Sequence, residues 1–555
     1  MYKGRIPNGE NVPHPCKDSI WNGVGHENEM GSGARNIFGK EFKENNFVWD
    51  QTFCRKDSDG DGKTNGEELG DPDCEWTKGA KPKYTTNLSH PGICEPFTLE
   101  QCGGRPSFVD CNEAEKCEAI HEADTFNYTI TFDRQPVPTK ETTYMCITFE
   151  FPTDKDYHLV AHEPIIDTED VMHHTLVYGC DGVVDEPPSP LLTPKECGGE
   201  MRSCTSILAL WSVGISGGCY DDQMGFLVGN SGFKYAIMQV HWNNPDKVPG
   251  YIDSSGIILY LTPKLRPNNA GVLMIGQTKL DIPPLVQSVI FTGECPGSCT
   301  SKMMEGPINV SVAINHMHLL GYAQRTDIIY KNVESPVADD QVYDYNTPVL
   351  HIHKTPMKVN PGDGLKTSCH FSSMDRTNHT KFGQATADEM CFAFLIYYPK
   401  ENLRENQCIS WKSIDYCEYR YQNVIRDCDI YKMADVSNKE TLEIYDRTNR
   451  ACVANECKPD CLKEVREIKK HPCFVGDVGD FFRSILLQFT KADYLVQTFF
   501  AKFDSCNAEL AREKAVQEEI EDDDGSTSEA CRHSHELMTS LILYFVVFNT
   551  LRLFA

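Results

Sequence analysis

The sequence predicts a mainly β protein: two β-sandwiches, preceded by a small disulfide-rich module and followed by a helical segment and a hydrophobic C-terminal tail. Short runs rich in β-branched and aromatic residues, such as YMCITFEF, YAIMQVHW and GIILYLTP, recur between Pro and Gly turns through the middle of the chain. That β-rich body is about 350 residues long, too long for one sandwich and suited to two. The chain also carries 25 cysteines, spread from Cys16 to Cys531. A reducing cytosol would leave so many thiols idle, whereas an oxidising compartment turns them into disulfides.

In chain order, residues 1–96 form a Gly- and Asn-rich module whose Cys16, Cys54, Cys74 and Cys94 allow three pairings. Residues 97–125 are a connector with Cys102, Cys111 and Cys117. Residues 126–280 and 281–475 hold the two sandwiches. After Cys473 the periodicity becomes helical, FFRSILLQFTKADYLVQTFFAKF, and runs into the acidic ELAREKAVQEEIEDDD, so residues 476–536 read as a helical segment and stalk. Residues 537–555 are apolar apart from Asn549 and Arg552 and follow the small-residue stretch Gly525 to Ser528. They read as a transmembrane segment or as a lipid-anchor signal. Cleavage near Ser526 would remove Cys531 and leave an even number of cysteines. MYKGRIPNGE has no apolar stretch of the length of a secretory signal, so the expectation is an incomplete or processed start.

A net charge of -28 and a pI near 5.0 exclude nucleic acid as a partner, because phosphate binding draws on clustered Lys and Arg. Four sequons, at Asn87, Asn127, Asn309 and Asn378, agree with an extracellular glycoprotein. The expected location is the extracellular side of a membrane, single-pass or lipid-anchored, or secretion.

The histidines carry the chemistry. A lone histidine in a strand is more often a satisfied core residue than a ligand, but five stand in apolar, strand-like contexts: His173, His174, His241, His316 and His318. His316 and His318, at i and i+2, would share one strand face. Side chains at adjacent strand positions point to opposite faces, so His173 and His174 converge only if the strand bulges or the rings swing round from both sides. Imidazole suits copper and zinc alike, and Met390 in TADEMCFAFLIYYP offers a thioether that favours Cu(I).

The ordered motifs ETTYMC, EPIIDTEDVMHHTLVYGC, MQVHWNNP, DSSGIILYLTPKLRPNNAG, FTGECPGSC, HMHLLG, NPGDGLKTSC and DEMCFAFLIYYPK resemble the copper type II, ascorbate-dependent monooxygenases, in particular the dopamine β-hydroxylase-like branch. The resemblance covers roughly residues 126–475. It implies two jelly-roll-like β-sandwiches facing across an open, solvent-filled cleft, with one copper in each. His173, His174 and His241 would bind the first, electron-transferring copper, and His316, His318 and Met390 the second, catalytic one that meets O2. Ascorbate would be the reductant, and a substrate carbon would be hydroxylated. The resemblance also implies a disulfide between Cys369 and Cys391.

His351 and His353 match no ligand position and read as a polar strand face. Where the amidating branch reads its substrate's carboxylate with Arg, Asn and Tyr, this chain has Ile314, Phe392 and Phe394. No hydroxylation of peptidylglycine is expected, and the two phenylalanines line an apolar pocket or pack in the core. The small-molecule substrate is not specified by the sequence. The alternative on the same scaffold is a non-catalytic extracellular matrix, adhesion or copper-binding protein.

In the position where the hydroxylases of catecholamine synthesis carry a further β-domain stands the N-terminal module. Its IPNGENVPHPC, GVGHENEMGSGARNIFGKEF and DSDGDGKTNGEELGDP resemble temptin, a small secreted protein of molluscan chemical attraction, which implies an extracellular partner. Asp57, Asp59, Asp61, Asn65 and Glu68 follow the spacing of an EF-hand loop. The candidates there are a helix-free Ca2+ site and an acidic turn without metal.

Overall fold

The β-rich runs form strands, the central ones buried almost along their whole length, and the strands close into two sandwiches in a computed structural model. It describes residues 3–17, 19–29, 31, 34–109, 111, 117–180, 186–198, 203–212, 217–345, 348–383, 387–489 and 494–513. The first sandwich packs a sheet ordered Phe126–Thr131, Gly256–Thr262, Asp156–Ile165, Met224–Gly229, Asn268–Asn269 against one ordered Lys195–Glu196, Thr142–Glu150, Tyr235–Asn243, Met172–Cys180, Cys204–Ser212. The second packs Leu350–Val359, Ile308–His316, Cys391–Tyr398, Gly271–Gln277, Gln407–Ser410 against Val289–Cys295, Gly364–Phe371, Gly321–Tyr330, Val333–Asp340. One apolar cluster runs through both: Phe149, Val240 and Trp242 of the first are continuous with Val312, Ile314 and Ile396 of the second. Sheet faces that share a core hold the strand ends they carry in fixed relation.

Two domain boundaries move. Strand Gly271–Gln277 pairs with Cys391–Tyr398 and Gln407–Ser410, so the second sandwich begins before residue 281. Its β structure ends near Ser410, and helices Tyr416–Tyr421, Ile430–Ala434, Lys439–Ala451 and Pro459–Ile468 occupy what the sequence assigned to the sandwich. The two longest of these bury few large apolar side chains, Ile444 in one and Val465 and Ile468 in the other, so helical periodicity shows only after Cys473. A separate unit begins at Glu418. Its core includes Ile444, Val465, Phe482, Phe499 and Phe503, stapled by Cys428–Cys473, Cys452–Cys461 and Cys457–Cys506.

In the N-terminal module, Val12, Val24, Phe38, Phe42, Phe53 and Leu69 form a small core. Helix Ile37–Glu44 starts at Asn36, whose Oδ1 accepts the Gly39 N–H at 2.9 Å and satisfies a donor that the first helical turn leaves open. None of the three closed pairings of the module's cysteines occurs. Cys54 joins Cys74, but Cys16 joins Cys111 and Cys94 joins Cys102, so module and connector are one cross-linked piece. Cys117–Cys219 then ties the connector to the first sandwich. Spacing along the chain does not encode which thiols end up adjacent.

Every cysteine from Cys16 to Cys506 is paired, including Cys369 with Cys391. Asn87, Asn127 and Asn378 are exposed, whereas Asn309 is half-buried in a strand. Among the described residues no helix is long and apolar enough to cross a membrane. Cys531, the acidic stalk from residue 514 and the apolar tail 537–555 lie outside the described residues.

Candidate metal centres

Strand Met172–Cys180 lies between Tyr235–Asn243 and Cys204–Ser212. His241 pairs directly with His174, but its neighbour Trp242 pairs with Met172, so His173 is one residue too many for the ladder. That extra residue is a β-bulge, the irregularity that two adjacent histidines require if they are to act together. The ring centroids of His173 and His174 come within 4.7 and 4.8 Å of that of His241, and the potential ligand atoms of all three residues lie within 4.8 Å of one another. Tyr144, opposite His241 on the other neighbouring strand, stacks on its ring at 4.5 Å.

The polar atoms of this cluster test whether a metal fits. His173 Nδ1 and His174 Nδ1 face each other at 3.1 Å, and both ring nitrogens of buried His241 lack a hydrogen-bond partner. Unpaired buried polar atoms are costly unless something else satisfies them. Burial pushes the His241 imidazolium down to about 2 and that of His174 well below its ordinary range, and the neighbouring histidines add to both shifts. The rings are therefore neutral and their lone pairs are available, as a d-block metal needs.

The second cluster is built differently. Strand Ile308–His316 ends at His316, and His318 lies in the turn that follows, so the pair does not share a strand face as the sequence predicted. The rings nevertheless approach to 5.4 Å between centroids. A buried carboxylate bends the chain: Glu389 accepts the N–H groups of His318 at 2.9 Å, Leu320 at 2.6 Å and Met390 at 3.2 Å. His316 pairs with Phe392, so the antiparallel register carried two residues further runs Met390 alongside His318. The His318 Nδ1–H donates to Asp388 O at 3.0 Å, which leaves the lone pair on Nε2. Tyr343 Oη accepts the Met317 N–H at 3.0 Å and donates to Met317 O at 2.7 Å, fixing the residue between the two histidines. Burial lowers the His316 imidazolium to about 3.

One aromatic side chain stands between the two clusters. Tyr345 stacks on His173 with centroids 5.6 Å apart and meets His318 edge-on at 5.5 Å, so one phenol ring touches both clusters. Its hydroxyl lies 3.3 Å from that of Tyr144. Just before it, Asp344 pairs with Arg35 of the N-terminal module at 2.7 Å. Phe392 is buried against Phe382, while half-buried Phe394 stands 6.1 Å from His316. His351 Nε2 bonds Asp340 at 2.9 Å and His353 Nε2 donates to Val337 O at 3.0 Å, so neither joins a cluster.

Sequence reasoning passed over Glu389, Tyr343 and Tyr345. An acidic residue directly before a candidate thioether at the start of an apolar strand was a signal for the first. Nothing in DDQVYDYNTP marked the tyrosines.

A pair of β-sandwiches, each carrying a histidine cluster, with one aromatic ring touching both, is a scaffold with candidate donor sets on both halves. The N- and C-terminal domains of copper type II ascorbate-dependent monooxygenases match residues 128–249 and 268–421, and the temptin C-terminal domain matches residues 1–93. The chain belongs to this monooxygenase family, in its dopamine β-hydroxylase-like branch, and carries an N-terminal temptin-like module.

It is similar to DBH-like monooxygenase protein 1 of Gallus gallus, 32% identical over 52% of this chain and 49% of that one. It is also similar to tyramine beta-hydroxylase of Caenorhabditis briggsae, 33% identical over 48% of this chain and 47% of that one. Dopamine beta-hydroxylase of Homo sapiens is 32% identical over 48% of this chain and 45% of that one. The chain thus spans about half the length of the curated relatives it matches.

Proposed function

We propose that this chain is a copper monooxygenase that hydroxylates a substrate C–H bond with O2 and ascorbate, held outside the cell or secreted. The observation that carries the reading is the convergence of three neutral imidazoles at a β-bulge, one of which, His173, shares the ring of Tyr345 with His318 of the His316–His318 pair. The overall reaction is R–H + O2 + 2 e⁻ + 2 H⁺ → R–OH + H2O, with both electrons from ascorbate. Copper, when bound, supplies the one-electron redox steps and the activation of O2.

His173, His174 and His241 would hold one copper, and His316, His318 and Met390 the other. Glu389 positions His318 and Met390 through their backbone N–H groups, and Asp388 O orients the His318 ring. Tyr345 and Tyr144 keep water from the space between the clusters. Ile314 and Phe394, directly paired across their strands, present no cation to a substrate carboxylate. A carboxylate-bearing glycine-extended peptide is therefore disfavoured, and the names of two relatives make tyramine and dopamine the first substrates to try.

Copper per chain is measured after reconstitution, then O2 uptake with ascorbate and each candidate amine. The expected outcome is two coppers and ascorbate-dependent formation of a hydroxylated product. Two coppers without O2 uptake would favour a copper-binding protein, and none a non-catalytic matrix or adhesion protein.

A further inference from the structure

The acidic loop of the N-terminal module holds a set of oxygens that nothing in the protein satisfies. Asp57, Asp59 and Asp61 bring carboxylate oxygens within 4.8 Å of one another. Asp57 uses both of its oxygens, and Asp59 and Asp61 one each, to shape the loop. Asp57 accepts the N–H groups of Gly60 at 2.7 Å and Gly62 at 3.0 Å, Asp59 that of Asp61 at 3.2 Å, and Asp61 that of Lys63 at 2.8 Å. Gly62 takes a φ of 98°, the left-handed turn at the loop's sixth position that an L side chain resists. A single helical turn, Asn65–Glu68, follows, capped by Thr64 in a capping box with Glu67.

An acidic turn alone would expose its unused oxygens to water, and this loop does not. Asp59 Oδ2, Asp61 Oδ2, Asn65 Oδ1 and Glu68 Oε2 are buried and have no hydrogen-bond partner. Asn65 and Glu68 are 0% and 1% exposed, and Asp61 is 7% exposed. The Asn65 amide donates to Phe53 O at 2.8 Å, so its carbonyl oxygen is the end left over. Glu68 Oε1 takes the Ser89 hydroxyl at 2.9 Å, which leaves Oε2. Four buried oxygens without donors are a heavy desolvation cost unless a cation meets them.

We propose that residues 57–68 bind one Ca2+ through the carboxylates of Asp57, Asp59, Asp61 and Glu68 and the side-chain carbonyl of Asn65. All the donors are hard oxygens, which excludes copper as the preferred ion. Five protein side chains also exceed the one or two carboxylates typical of Mg2+, which keeps several of its waters. The bound ion would draw in the connector as well, because the Asp61 carbonyl accepts from Gln101 at 3.3 Å, while Glu68 holds Ser89 of the module itself.

Charge linkage gives the test its sign. Without an ion, burial pushes Asp59 up to about 7 and Glu68 up to about 9, and the mutual repulsion of the loop carboxylates adds to both. The other charged groups facing them are Asp57, Asp61, Glu95 and Lys63, whose ammonium donates to the Ser89 hydroxyl at 3.1 Å. The folded loop then keeps protons that an unfolded chain releases at ordinary carboxylate values, so its stability falls as pH rises from about 5 to about 9. An ion that replaces those protons reverses the trend.

The full chain, dialysed free of calcium, is titrated with CaCl2 by calorimetry and melted at about pH 5 and about pH 8, with and without about 10 mM CaCl2. One site with a dissociation constant at or below about 10⁻³ M is expected, with a rise in Tm larger at the higher pH. Asp59→Asn and the exposed Asp57→Asn should each weaken binding at least about tenfold, or about 1.4 kcal/mol, and leave copper content unchanged. The proposal is overturned if the folded chain takes up no calcium. It is also overturned if MgCl2 gives the same shift, or if both variants bind calcium as the parent does.

Discussion

The two candidate centres differ in what holds their ligands. The three-histidine cluster is a product of sheet register: one bulge in Met172–Cys180 and a facing strand bring its imidazoles together. The methionine-containing cluster sits where a strand has ended, and a single buried carboxylate ties its turn to the neighbouring strand. A ladder of backbone hydrogen bonds is a stiff support, whereas a turn held by one side chain can shift when that side chain changes. Under the proposed function, the stiffer centre would suit the metal that only exchanges electrons, and the other the metal that meets O2.

The widest separation between the centres should come from Met390→Ile. Loss of the thioether is expected to lower hydroxylation by more than about 100-fold, beyond the range for an outer partner, while the first centre keeps its copper. Copper content and the electron paramagnetic resonance signal of the remaining Cu(II) read this directly. A variant with full activity would refute the ligand assignment.

Glu389→Gln tests the single support. A neutral amide cannot accept three N–H groups as a carboxylate does, so copper affinity at the second centre should fall roughly 10- to 100-fold. A stability loss of about 1–3 kcal/mol from an unsatisfied buried group should accompany it. Copper binding at the first centre should not move, and equal losses at both would abolish the distinction drawn here.

Tyr345→Phe removes the hydroxyl contact with Tyr144 but keeps the ring between the clusters, so a several-fold fall in turnover at most is expected, with KM for substrate unchanged. Tyr345→Ala should be clearly worse. The smallest effect belongs to Arg35→Ala. The Arg35–Asp344 pair is only partly buried, with side chains 21% and 17% exposed, and such pairs contribute about 1 kcal/mol or less. A small fall in Tm with intact copper binding is the expected reading. A loss of turnover as large as that of Tyr345→Ala would mean that the N-terminal module governs closure between the centres.

The ligand-bearing strands were legible because their residues are chemically unusual for their setting: two adjacent histidines in an apolar strand demand a bulge, and the bulge is there. Glu389 was quoted within its motif and still not read as a support. Two of the three backbone groups it holds come from a turn some seventy residues earlier in the chain. Helices between Tyr416 and Ile468 were hidden for another reason: with so few large apolar side chains each, tertiary burial and disulfides set them more than periodicity does.

Sequence by itself determined the β class, the family, the oxidised cysteines and the candidate ligands for copper and calcium, because composition, spacing and residue chemistry are local properties. Tertiary structure alone decided which cysteines meet, where the second sandwich begins, and that Tyr345 touches a histidine of each cluster. It alone left four loop oxygens buried without a donor. Each of these depends on contacts between residues distant in the chain, and such contacts follow from packing the whole core rather than from any stretch of it.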